Sequence, residues 1–445
     1  MKYPMPNDFL WGAATAAFQV EGGLECDGAG ESNWLNFCRQ PGRIWQDEIP
    51  LVGCDQYHRY REDVKLMKNL GIKAYRFSLN WARIFPREGV LNEKGLAYYH
   101  NLIDALLEAG IEPFVTIFHW DLPQYLEEQG GWRSGETSRK LGDFAAFMAK
   151  EFGTKVKHYF TVNEITMFTA CGHNGHGNAP GLKLPDQEVY QTIHYGNLAH
   201  GYVAQALRAN APHAGIGIAN NPCIVIPVLE TEETIDAARK ATRLNNACCH
   251  TAIEEGRYPD EFLEQVGPDA PRFTDEEMKI IATPTDFTGL NVYKGQYCVP
   301  DPDSPQGYKI LAPATDHPYM DLKWLRNTPT SIYFGVKFLY ELWGKKLYVS
   351  ENGCSAADEL SQSGEIFDSG RIEYLRSYLR NLQRAISENI PVKGYFLWSL
   401  LDNFEWACGF KPRFGIVYVN YETQERIPKE SAKYYAACIK NNAIL

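Results

Sequence analysis

The chain lacks several features that would each point to a different protein class. Its eleven cysteines are odd in number and no two stand at CxxC spacing, so neither a disulfide framework nor a zinc knuckle is indicated. The opening MKYPMPNDFLWG holds no apolar signal core, and no apolar run approaches the length of a membrane span. Together these predict a reduced, cytoplasmic protein with free thiols and no membrane association. Excess positive charge is also missing: the formal net charge is -11, which argues against nucleic acid or an anionic membrane surface as partner. No glycine-rich phosphate turn follows the first apolar run, against a dinucleotide-binding open sheet. No apolar run ends in a lysine suited to Schiff-base chemistry. Flexible linkers and breaks in composition are absent over all 445 residues, and no feature specifies an oligomeric state.

Aromatic side chains are abundant, with 10 Trp, 26 Tyr and 22 Phe. Two of the aromatic stretches belong to an internal repeat. GIKAYRFSLNW (Gly71 to Trp81) and GIEPFVTIFHW (Gly110 to Trp120) align with an offset of 39. Each follows a helical pattern closed by glycine: Tyr57, Tyr60, Val64, Met67 and Leu70 before the first, Leu96, Tyr99, Ile103 and Leu106 before the second. Phe144, Phe147, Met148 and Phe152 lead into HYFTV in the same way. Strand-like runs follow in GIGIAN, DFTGLNVY, KLYVSENG and GYFLWSLL, and FLWGAATAAF precedes them. Eight β-α units predict one α/β domain over residues 1–445, a single (β/α)8 TIM barrel with inserted loops at its C-terminal face. The proline-rich stretch from Val299 to Pro329 reads as a long insertion after the sixth strand, of the kind that forms binding loops or lids.

In such a barrel the strand ends form the active site. Here they are polar almost throughout: Gln19 and Glu21, Arg76, His119 and Trp120, Asn163 and Glu164, Asn291 and Tyr293, Glu351 and Asn352, then Trp398. Any one of these is unremarkable in a loop, whereas a ring of them at one rim is not. Two carboxylates, Glu164 and Glu351, with amides, a histidine, an arginine and tryptophans suit hydrolysis of a glycosidic bond. One attacks the anomeric carbon while the other protonates the leaving oxygen. A sugar ring, apolar on its faces and hydroxylated at its edge, is matched by Trp faces and amide or carboxylate groups. His173 and His176 in CGHNGHGNAP lack the further ligands a zinc site uses and read as a polar loop, so no metal is expected.

The chain resembles the family 1 glycoside hydrolases along nearly its whole length. The resemblance rests on FLWGAATAAFQVEG, YRFSLNWARIFP, HWDLP, TVNEI, YVSENG and WSLLDNFEW, in that order. It implies a retaining β-glycosidase that needs no cofactor, a β-glucosidase acting on small glucosides or cello-oligosaccharides, with Glu351 as nucleophile and Glu164 as general acid/base. Arg76 and Tyr293 would flank Glu351 and keep it ionised. Gln19, His119, Asn163, Glu405 and Trp406 would hold sugar hydroxyls, Trp398 would form the stacking floor, and Trp324 would stack on the leaving group. Trp120, Asn291 and Phe414 complete the expected substrate-binding set. Galactosides and fucosides remain alternative substrates. A non-catalytic sugar-binding relative and a thioglucosidase are disfavoured because both glutamates are present, and Glu405 and Trp406 disfavour a phosphorylated sugar. The chain departs from the family in one place: Ile165 stands where proline usually follows the acid/base glutamate. β-Branched isoleucine prefers extended backbone, which predicts a neutral replacement in the same extended geometry.

Overall fold

The computed structural model describes residues 2–445. Eight strands, β1 (Leu10–Ala14), β2 (Ala74–Ser78), β3 (Glu112–Phe118), β4 (His158–Asn163), β5 (Gly215–Asn220), β6 (Phe287–Asn291), β7 (Lys346–Asn352) and β8 (Val392–Trp398), close into a barrel in sequence order. Every neighbouring pair is parallel, and β8 meets β1 from Gly394↔Leu10 to Trp398↔Ala14. Helices α1 (Gln56–Leu70), α2 (Glu93–Ala109), α3 (Gly135–Phe152), α4 (Asp186–Asn210), α5 (Glu232–Asn245), α6 (Thr330–Trp343), α7 (Ser369–Ser387) and α8 (Glu430–Asn441) surround it. None of the described helices is long and apolar enough to cross a membrane.

The repeat seen in the sequence is a repeat of structure. Gly71 and Gly110 cap α1 and α2 with φ of 79° and 76°, and each donates its N–H to carbonyls of the last turn. Left-handed backbone costs glycine little, so the helix stops there and the chain turns into the next strand. Below the rim the barrel is plugged by aromatic rings. Phe114 contacts Phe396 at 4.8 Å and stacks on His158 at 4.2 Å, while Phe160 meets Phe287 edge-on at 5.3 Å. The interior is therefore a packed floor, and the polar strand ends form a cup above it.

One sequence expectation needs correction, and one gains detail. The first strand ends at Ala14, and Gln19 lies beyond it in a helical turn, Ala17–Val20. The long insertion after β6 is partly ordered as a sheet: Gln296–Pro300 pairs with Tyr308–Ile310 and with Val225–Pro227 from the loop after β5.

Candidate active site

At the C-terminal mouth lies a cavity of about 530 Å³. His119 and Trp120 follow β3, Asn163 ends β4 with Glu164 next to it, and Asn291 ends β6 with Tyr293 just beyond. Glu351, Trp398, Glu405, Trp406, Phe414 and Trp324 complete the predicted set on its walls. Arg76 lies beneath the cavity and Gln19 behind it, both fully buried.

Arg76 organises the floor. Its guanidinium donates to Glu351 Oε1 at 2.6 Å, Asn163 Oδ1 at 2.6 Å, Thr116 Oγ1 at 3.0 Å and the Ser350 carbonyl at 3.1 Å. A planar donor set can fix two side chains on different strands at once. The other oxygen of Glu351 accepts the Tyr293 hydroxyl at 2.7 Å. Glu164 is held differently. Its Oε1 accepts the Asn291 amide at 2.8 Å, and Asn291 is itself anchored by the Ser350 hydroxyl at 2.6 Å. Asn163 is held at both side chain and main chain, with its amide nitrogen 3.1 Å from His119 Nε2 and its backbone carbonyl accepting Trp120 Nε1–H at 3.0 Å.

The two carboxylates have unequal surroundings. Burial, reinforced by the negative charge of Glu351, pushes the Glu164 pKa up to about 8. Burial also raises Glu351, which corrects the expectation that its neighbours simply keep it ionised; the Arg76 charge and the donors Arg76, Tyr293 and Asn291 pull the other way. With a cation and two strong donors on Glu351, and one neutral amide on Glu164, the first proton to leave the pair leaves Glu351. Glu405 is a third carboxyl pushed up to about 8, by burial and then by Glu351. His119 is driven well below its usual range by burial and by Arg76, so the ring is neutral.

Three buried polar atoms around the cup have no partner within the protein: Gln19 Oε1, His119 Nδ1 and Glu405 Oε2. Buried polar atoms are rarely left so. Gln19 is nonetheless rigid, because its amide nitrogen donates to Asn403 Oδ1 at 3.0 Å and the Phe404 carbonyl at 2.8 Å. Glu21, also at the first strand end in the sequence, belongs to the framework instead. It pairs with Arg83 at 3.0 Å and accepts the Tyr99 hydroxyl.

Three rim residues adopt left-handed backbone: Trp120 at φ 78°, Glu164 at φ 50° and Trp406 at φ 50°. Such conformations in non-glycine residues cluster at functional sites. They also overturn the expectation for Ile165. Glu164 is not extended, and Ile165 opens a helical turn, Ile165–Phe168, with its side chain fully buried. The side chain occupies a hollow left by Gly196 of α4, where an added Cβ would come within 2.6 Å of Ile165 Cγ2.

The loop after β8 that carries Glu405 and Trp406 is anchored from behind by a second buried cluster. Lys429 Nζ lies 2.7 Å from Asp402 and 2.5 Å from Asp358. Arg413 pairs with Asp402 at 2.7 Å, and Arg371 pairs with Asp358 at 2.8 Å and with Asp368.

Sequence reading missed the outer wall of the cavity, formed by Met167, Asn178, Asn221, Cys223, Lys294 and Gln296. These come from loops and short elements without a readable period, Met167 from the turn Ile165–Phe168 and Gln296 from the strand Gln296–Pro300; only the adjacency of Lys294 to Tyr293 was available as a signal. His173 and His176 do not converge: the first is buried with Nδ1 2.6 Å from the Thr169 carbonyl, and the second is exposed.

A family model described as glycosyl hydrolase family 1 matches residues 1–444. The chain is 40% identical over 442 residues to a 1,4-beta-D-glucan glucohydrolase of Thermotoga neapolitana, covering 99% of both chains. It is also 40% identical over 446 residues to beta-glucosidase A of Acetivibrio thermocellus, again covering 99% of each. Among solved structures, the family 1 β-glucosidase of Thermotoga maritima in complex with isofagomine lactam superimposes with a TM-score of 0.91 at 38% identity, covering 100% of both chains.

Proposed function

The chain belongs to glycosyl hydrolase family 1 and is a β-glucosidase, and we propose that it cleaves terminal β-glucosyl residues with retention of configuration, using Glu351 as nucleophile and Glu164 as acid/base. The observation that carries this reading is the unequal support of two buried carboxylates at one rim. Glu351, beside Arg76 and Tyr293, is the member that ionises first; Glu164, dry and beside a like charge, keeps its proton. In the first step the Glu351 carboxylate forms a bond to the anomeric carbon as the glycosidic C–O bond breaks. Glu164 passes its proton to the departing oxygen. In the second step the now ionised Glu164 takes a proton from water, the water oxygen bonds to the anomeric carbon, and the Glu351 ester bond breaks.

The sugar is held by groups that already have fixed positions. Asn163, clamped by Arg76, His119 and Trp120, reaches the 2-hydroxyl, a contact that tightens as positive charge develops on the ring. Gln19 Oε1, His119 Nδ1 and Glu405 Oε2 take the remaining hydroxyls, and Trp398 is the floor beneath the ring. The glycone is unphosphorylated, because Glu405 would repel a phosphate. Of the two nearby cations, Arg413 is committed to Asp402 at 2.7 Å and Lys411 lies over Trp45. Trp324 and the amides of the outer wall receive the aglycone, and small glucosides or cello-oligosaccharides fit that wall. All eleven cysteines are free thiols, which supports a cytoplasmic setting.

The test is direct. Glu351→Ala abolishes hydrolysis, and azide restores turnover to that variant with inverted product. Glu164→Ala retains the first step only for activated leaving groups, which need no proton. An α-anomer as the first product from a β-substrate, seen by proton NMR of the wild-type reaction, would sink the assignment.

A further inference from the structure

Charge is unevenly placed along the catalytic cavity. Its inner end carries three carboxyls, Glu164, Glu351 and Glu405, whereas no carboxyl lies on its outer wall. Among the described residues on the lining, the one lysine or arginine is Lys294, and it belongs to that outer wall. The chain as a whole carries a net charge of -11, so acidic groups are plentiful, and yet none is set against this cation.

Lys294 is exposed at the mouth. The wall still desolvates its amine enough to hold the pKa below the usual lysine value, against Cys223 and together with Arg326, and no carboxylate is among the groups that bear on it. Its Nζ lies 5.7 Å from the centre of the Trp324 ring, and Tyr293 meets the same ring edge-on at 5.9 Å. Arg326, two residues past Trp324, has its guanidinium on the Ala314 carbonyl at 3.2 Å. The backbone that presents Lys294 is pinned on both sides. The Tyr293 carbonyl accepts the hydroxyls of Tyr378 at 2.8 Å and Tyr374 at 3.2 Å, and the Gly295 N–H donates to Thr328 Oγ1 at 2.9 Å. The Tyr293 hydroxyl donates to Glu351 at 2.7 Å, so one fixed segment carries both a partner of Glu351 and the cation of the outer wall.

A hydroxylated aglycone is served by the neutral amides Asn221 and Gln296 on the same wall. An ammonium there distinguishes an anionic ligand from a neutral one. The exposed Trp324 face adds a demand for a flat apolar partner. We propose that Lys294 selects the aglycone by charge: the outer wall favours an aromatic aglycone that bears a carboxylate, its ring against Trp324 and its carboxylate on the Lys294 ammonium. The proposal rests on the β-glucosidase reading and gives that enzyme a preferred aglycone class, the phenolic acids.

The test uses two glucosides that differ in charge, 4-carboxyphenyl β-glucoside and its neutral 4-carbamoylphenyl counterpart, with wild type, Lys294→Met, Lys294→Arg and Lys294→Glu. The readout is the ratio of kcat/KM for the acid to that for the amide. Leaving-group chemistry and any general effect on the wall cancel when this ratio is compared between variants. Expected for Lys294→Met is a fall in the ratio of about three- to fivefold, the size of one partly exposed ion pair, carried by KM of the acid. Lys294→Glu lowers it further, and Lys294→Arg keeps most of it. Added salt lowers the wild-type ratio and leaves that of Lys294→Met level, because exposed charges are screened. A ratio unmoved in Lys294→Met overturns the proposal. So does an equal fall in Lys294→Met and Lys294→Arg, because the shape of the lysine and not its charge is then the cause. A wild type inactive on both glucosides would instead overturn the β-glucosidase reading itself.

Discussion

Two buried charge clusters in this barrel are built on opposite plans. Behind the last loop, Asp358, Asp368 and Asp402 meet Arg371, Lys429 and Arg413, anion for cation, and none of their polar atoms is left without a partner. At the catalytic cavity, Glu164, Glu351 and Glu405 lie on the walls with one ion pair among the three, Arg76 with Glu351, and Glu405 Oε2 has no partner among the described residues. The balanced cluster keeps Asp358 below the usual carboxylate range, since Arg371 and Lys429 outweigh its burial. The unbalanced one drives Glu164 and Glu405 up to about 8. Equal numbers of opposite charges make a framework; a deficit of cations stores the reactivity.

The comparison breaks most sharply at Arg76. Arg76→Met leaves Glu351 buried without a cation, and kcat/KM is expected to fall by roughly 10²–10³, the equivalent of about 3–4 kcal/mol. Because the nucleophile must be ionised and its pKa rises without the cation, the acid limb of the pH–rate profile moves to higher pH. An unchanged acid limb would mean that Arg76 only shapes the floor.

The mirror experiment is Lys429→Met. It removes one of two cations from each of Asp402 and Asp358, leaving Arg413 and Arg371 as their partners, and denaturant unfolding should register a loss of about 3 kcal/mol, with kcat of the folded fraction nearly unchanged. Stability should also respond to acid. Asp358 has a lowered folded pKa, so its contribution is present above the unfolded carboxylate value and is lost as pH falls through the folded one. A Lys429→Met protein that stays stable but loses catalysis would erase the distinction between the clusters.

A third measurement concerns pH on the alkaline side. Glu164 must be protonated to assist departure, so kcat/KM for an unactivated glucoside should fall as pH rises through about 8. With a dinitrophenyl leaving group that limb should weaken, since no proton is required.

The smallest expected effects lie at the seam behind Glu164. Gly196→Ala forces Ile165 from its hollow, and a loss of about tenfold, or 1.4 kcal/mol, is expected on poor leaving groups, with little change on activated ones. Ile165→Ala in the same chain should restore much of it. Ile165→Pro should cost less than about tenfold, because residue 165 is the first of a helical turn, where proline is tolerated and an N–H has no intrahelical acceptor. A uniform loss across leaving groups would make the hollow a matter of folding alone.

That seam also marks where sequence reading stops. Short apolar runs and helical patterns located eight strands and the helices between them, and both glutamates stood out because carboxylates at the end of an apolar run have few structural uses. The geometry at residue 165 was misread because β-branched preference is a local property. Here a tertiary bond and a turn bond decide: Glu164 N–H donates to the Ala219 carbonyl on β5 at 2.9 Å, and Glu164 C=O accepts the Met167 N–H of the following turn at 2.9 Å. Lys429 gave no signal either, since its partners Asp358 and Asp402 are 71 and 27 residues away in the chain. The outer wall was illegible for the same reason.

The aromatic plug of Phe114, Phe160, Phe287 and Phe396 has a consequence for traffic. A cup sealed at the bottom has one doorway, so departures and arrivals must queue. On the mechanism proposed above, the aglycone has to leave before water can reach a sugar held on Glu351, and glucose exits along the route the next substrate uses. Any alcohol that arrives at that doorway ahead of water becomes the acceptor, and the order of the queue decides whether a bond is cut or a new glycoside is made.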